Sequence, residues 1–101
     1  MGEALVIDRV AIAALCRRFG VARLAVFGSA MTERFDPARS DVDFLVEFLP
    51  EVEDTFSAYF GLKRALEGVL GRGVDLVSPR ALRNPYFAES VHETEAELYA
   101  A

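Results

Sequence analysis

Apolar positions along the chain change their period several times, and each change marks an element. After Asp8, the residues Ile12, Leu15 and Phe19 recur at helical spacing with Ala11 and Ala14 beside them, which predicts a helix over about residues 9–19. Asp8 is its candidate cap and Gly20 its natural stop. Residues 23–27 (RLAVF) are a short apolar run bounded by Gly28 and read as a buried strand. Residues 29–34 predict one or two helical turns, and Asp36-Pro37 then marks a loop. Residues 42–48 (VDFLVEF) alternate as a second strand, with Val42, Phe44, Val46 and Phe48 on one face and Asp43, Leu45 and Glu47 on the other.

Pro50 ends that strand, and Glu51, Glu53 and Asp54 form an acidic lead suited to the positive end of a helix. Tyr59, Leu62, Leu66 and Val69 give the apolar stripe of that helix, closed by Gly71 and Gly73. Residues 74–77 (VDLV) read as a third strand, and Ser78-Pro79 opens a brief turn or helix. Asn84-Pro85 predicts the cap and first turn of a last helix, with Phe87, Val91 and Leu98 on its inner face. The expected order is α-β-(short α)-β-α-β-α. The fold class is therefore α/β (α+β): a small mixed β-sheet with helices packed on one side, in a single domain spanning residues 1–101.

Composition narrows the function. Apolar residues make up 52% of the chain, high for a small domain, which points to association with itself or with a partner as a homo-oligomer or hetero-oligomer. The formal charge is −5, so counterion release on nucleic acid favours it little and no direct DNA binding is expected. No apolar run is long enough to cross a bilayer, and the start of the chain lacks the pattern of a secretory signal. Cys16 is the sole cysteine, which excludes an intrachain disulfide and fits a reducing cytoplasm. It lies in the apolar pattern of the first helix and reads as a core thiol.

The candidate chemistry lies between Gly28 and Asp75. Asp41 and Asp43 differ by two positions, so on a strand they share a face with Cα atoms roughly 6.5–7 Å apart. Two such carboxylates repel one another unless a cation sits between them. Magnesium fits an oxygen-only set, since it takes one or two carboxylates together with substrate phosphates. Asp75 has a comparable place on the third strand, and it converges with the pair if strands two and three are neighbours. Its structural alternative is an ion pair with Arg72 or Arg80. Gly28 lets backbone approach a ligand, and Ser29, opening a helical turn, offers amide and hydroxyl donors to phosphate. His92, among Glu89, Glu93 and Glu95, reads as a surface side chain. Tyr59 and Phe60 read as core or interface.

These residues carry a resemblance. FGS, an intervening loop, SDVDFLVEF and then VDLV resemble the nucleotidyltransferase fold of the DNA polymerase beta superfamily, and the short length is similar to its minimal nucleotidyltransferases, the MNT proteins. Many of those are encoded with a HEPN-domain toxin and act as its antitoxin. The resemblance implies that Gly28 and Ser29 contact the phosphates of ATP. It implies that Asp41 and Asp43, with Asp75, form the magnesium and catalytic set, Asp75 assisting the attacking hydroxyl. It also implies AMP transfer to a tyrosine of the toxin, silencing its RNase activity. Two features depart from the family pattern. Eleven residues separate Ser29 from Asp41, one more than is common, and where many members carry an arginine soon after Gly-Ser this chain has Ala30-Met31-Thr32-Glu33. Arg34 takes that place only if the extra residue lengthens the loop, and the phosphate contact is left open between Arg34 and Arg39. The competing expectation is a non-catalytic antitoxin that occludes the toxin's active site. Transfer to a small molecule ranks lower, because the chain shows no second helical lobe to cradle the acceptor.

Overall fold

The computed structural model describes residues 7–28 and 41–101. Ser29, Arg34, Arg39, the expected short helix over residues 29–34 and the Asp36-Pro37 loop lie outside the described residues.

Helix α1 (Arg9–Phe19) begins where Asp8 Oδ1 accepts the Ala11 amide at 3.0 Å. It ends at Gly20, whose φ of 73° is the left-handed conformation that lets its amide reach back to the Cys16 carbonyl. Ile12 and Cys16 are its buried positions, and burial pushes the Cys16 thiol up to about 11, as suits an unreactive core sulfur. Strand β1 (Val21–Phe27) starts two residues before the expected run. Pairing recruits the extra residues: Val21 faces Phe48, and the Leu49 amide donates to the Gly20 carbonyl at 2.8 Å.

Strand β2 (Val42–Phe48) has the expected bounds and runs antiparallel to β1. Helix α2 (Thr55–Leu70) starts at Asp54, whose carboxylate accepts both the amide and the hydroxyl of Ser57. It carries the chain back so that strand β3 (Val74–Val77) pairs parallel to β2, the crossover such a pairing requires. Leu62 and Leu66 are fully buried, but Val69 is 40% exposed, contrary to the expected stripe. Leu70 packs in its place, because steps of four from Leu62 and Leu66 stay over the core while Val69 falls on the flank.

A 3-10 helix (Pro79–Arg83) and helix α3 (Pro85–Thr94) follow. Asn84 caps α3 by accepting the amides of Tyr86 and Phe87 at 3.0 and 3.3 Å. The expected last helix does not extend to Leu98: Glu95 turns extended, and residues Ala96–Ala100 form strand β4 on the free edge of β1. Among the described residues the sheet order is β3-β2-β1-β4.

Helices cover both faces of this mixed sheet, not one. Helices α1 and α2 lie over Leu24, Val26, Val42, Phe44 and Val46. On the reverse face Ala25, Phe27 and Leu45 are also buried, under Val91, Phe87 and Leu82. The two central strands are apolar on both sides, so one helical layer would leave half their side chains in water. Phe87 meets Phe27 edge-on at 5.8 Å, fixing α3 to the sheet.

Candidate active site

Topology gathers the acidic residues along one rim. Strand β1 ends there, while β2 and β3, being parallel, both begin there. The register sets Asp43 opposite Phe27 on one side and opposite Asp75 on the other. Strands two and three are thus neighbours, as convergence of the three carboxylates required. Asp41 lies just ahead of β2, where the Val42 amide donates to the Gly73 carbonyl at 3.0 Å. Asp41 and Asp75 are exposed and Asp43 is half-buried.

Two glycines make room for the pair. A β-carbon on Gly28 would stand 2.9 Å from Asp43 Oδ2, and one on Gly73 would collide with Asp41 Oδ1. Asp43 therefore leans toward the end of β1, and Asp41 toward the start of β3. Among the described residues no three acidic, histidine or cysteine side chains form a cage for a metal by themselves. Burial raises the Asp43 carboxyl above its ordinary value, and the negative charges of Asp75 and then Asp41 raise it further. An open, oxygen-only face under mutual repulsion fits a magnesium ion that shares its ligands with substrate phosphates.

Gly28 has φ 79°, so its role at the end of β1 is conformational. Its partner Ser29 lies outside the described residues, as do the two candidate phosphate arginines. Two supporting residues escaped the sequence reading. Thr94, at the end of α3, accepts the Gly28 amide on Oγ1 at 2.9 Å. Glu67, on α2, accepts the Val74 amide at 3.2 Å and Lys63 Nζ at 3.2 Å, tying down the start of β3 one residue before Asp75. The Lys63 bond and then the Val74 bond hold the Glu67 carboxyl below the usual range. The Lys63-Glu67 spacing of four was a visible helical pair, but its reach to β3 depends on the fold. His92 is an exposed side chain 3.6 Å from Glu95, as expected.

Gly28 thus lies against Asp43, Asp75 stands in register with it on the next strand, and Asp41 joins them on the same rim. The chain belongs to the nucleotidyltransferase domain family, whose model matches residues 9–95. Within that family its likeness is to the minimal members. A solved structure, provisionally described as a minimal nucleotidyltransferase, is 40% identical, with a TM-score of 0.70 over 87% of this chain and 86% of that one. Two Methanocaldococcus jannaschii proteins, provisionally named protein adenylyltransferases, are also similar. One is 38% identical over 77 residues, 75% of each chain, and the other 40% over 80 residues, 78% of each. The fold is shared with the MNT antitoxin that Shewanella oneidensis forms in complex with its tri-AMPylated HEPN toxin. That match has a TM-score of 0.58 and 23% identity, over 92% of this chain and 70% of that one.

Proposed function

We propose that this protein is a magnesium-dependent protein adenylyltransferase that neutralises a HEPN-type RNase toxin by moving AMP from ATP to a tyrosine hydroxyl of that toxin. The observation that carries the reading is the register of Asp43 with Asp75 on a rim shared with Asp41 and Gly28. The names of the archaeal relatives support adenylyl transfer to protein, and the fold shared with an antitoxin supports the toxin partner.

In the reaction, the acceptor oxygen forms a bond to the α-phosphorus of ATP. The bond from that phosphorus to the bridging β-phosphate oxygen breaks, and pyrophosphate leaves with the electron pair. Asp75 takes the proton of the attacking hydroxyl. Asp41 and Asp43 would hold magnesium, with Asp75 completing the set. Bound there, the metal supplies charge neutralisation at the transferring and leaving phosphates. Ser29 holds the phosphate chain in line, and Gly28, with no side chain, lets the backbone come close to it. One domain carries this chemistry, and the partner brings the acceptor. Such a pair works in the cytoplasm, where ATP is available.

One observation favours the competing reading of simple occlusion. Phe56 and Phe60 stand 73% and 44% exposed on α2, an apolar surface away from the carboxylate rim. The deciding experiment is the intact mass of the partner toxin after incubation with this protein, ATP and magnesium. A gain of one or more AMP units is expected, and tandem mass spectrometry should place it on tyrosine. An unchanged mass in a stable complex would overturn the transfer reading in favour of occlusion.

A further inference from the structure

The Gly28 amide is not free to meet a ligand, because it already donates to Thr94 Oγ1 at 2.9 Å. That hydroxyl is itself oriented: its proton goes to the Ser90 carbonyl at 3.2 Å, one helical turn earlier, which leaves a lone pair facing Gly28. Helix α3, which carries Thr94, is seated on the sheet by the buried Val91 and by Phe87 against Phe27, the residue before Gly28. The end of β1 is thus held from a packed helix. On its other side Gly28 lies against the Asp43 carboxylate, with no room for a β-carbon between them. A run of fixed contacts leads from Ser90 through Thr94 and Gly28 to Asp43.

We propose that Thr94 is a positioning residue for nucleotidyl transfer, its hydroxyl holding Gly28 at a set distance from Asp43 so that the end of β1 and the metal-binding carboxylate stay in register. This rests on the transfer reading above. Small misplacements of such groups are slow to react, because the aligned geometry is itself a large part of the rate.

The test uses the full chain with its partner toxin, ATP and magnesium. Thr94→Val keeps the β-branched shape and removes the acceptor oxygen, whereas Thr94→Ser keeps the oxygen. Thr94→Val should lower kcat for AMP transfer by about tenfold or more, with KM for the toxin unchanged. Thr94→Ser should restore kcat to near wild type. Unaltered transfer by Thr94→Val, or a Ser variant as slow as the Val variant, would overturn the proposal. Hydrogen exchange at the Gly28 amide provides a second reading independent of activity. Protection is expected in the wild type and in Thr94→Ser and should be lost in Thr94→Val, while a freely exchanging wild-type amide would overturn the anchor. If the wild type transfers no AMP but keeps its Gly28 amide protected, the transfer reading fails and the anchor stands as structural.

Discussion

At the scale of single residues, Asp43 is in conflict with its surroundings. Its half-burial and the charges of Asp75 and Asp41 raise its carboxyl above the unfolded value, so the folded chain binds a proton there more readily than the unfolded chain. A group raised in this way favours the folded state at low pH, and stability falls as pH climbs from the ordinary carboxylate range through the raised value. Asp43→Asn should therefore melt higher than the wild type at neutral pH without metal and should lose this part of the pH dependence. Thermal melts at several pH values check both points. Magnesium should narrow the gap by stabilising the wild type selectively. The same substitution should lower transfer by at least about a hundredfold, since it removes a carboxylate that would hold the magnesium neutralising the reacting phosphates. Gly28 is constrained differently. At φ 79° any other residue is strained by about 1–2 kcal/mol, and alanine would also press on Asp43. Gly28→Ala should lower the unfolding free energy by roughly that amount and slow transfer as well. Glycine, alternating aspartates and strand context were legible in the chain because each is a local signal. Thr94 and Glu67 were not, because a hydroxyl or carboxylate that meets its partner 66 or 7 residues away leaves no local pattern.

At the scale of elements, local chemistry sets most boundaries. Asp8, Asp54 and Asn84 each cap a helix, and Gly20 and Gly71 each end one in the left-handed conformation. Asn84→Ala should cost about 1 kcal/mol by freeing two amides of α3, measurable as a lower denaturant midpoint. Tyr59 binds α2 to the edge strand β3 through a 2.8 Å bond to the Leu76 carbonyl, so Tyr59→Phe should also cost about 1 kcal/mol. Strand β4 shows where local signals end. Its sequence AELYA is built from good helix formers, and Leu98 continues the spacing of Phe87 and Val91, so periodicity alone extends α3 through it. No glycine marks the break. The unpaired edge of β1 overrides propensity: the Ala101 amide donates to the Ala22 carbonyl at 2.8 Å, and Arg23 reaches Glu97 at 2.8 Å and Glu95 at 3.4 Å. The second helical layer follows from the same tertiary demand, since Ala25, Phe27 and Leu45 needed a cover that a single-face reading did not supply.

At the scale of the whole molecule, the carboxylate rim and the exposed Phe56–Phe60 pair lie at opposite ends of the sheet. Strand β2 leaves the rim at Val42 and runs seven residues, roughly 20 Å, before the chain turns into α2. Phe56 and Phe60 are in the first turns of that helix, their rings 4.8 Å apart, and so sit at the far end from Asp41 and Asp43. Under the proposed function, docking and chemistry can then be separated by mutation. The chain carries a formal charge of −5, which suits approach to the basic surface an RNase presents to RNA, and raising salt should slow that association. Co-expression of the toxin with the Asp41→Asn/Asp43→Asn double variant joins these arguments in one measurement. Neutral amides on an exposed rim leave the core and the α2 surface unchanged, so the variant should still copurify with the toxin. If AMP transfer is what silences the toxin, growth protection should be lost while the complex persists. Full protection by the double variant would instead make coverage of the toxin sufficient. Loss of both protection and complex would move the docking surface to the rim itself, with Asp41 and Asp43 as contacts.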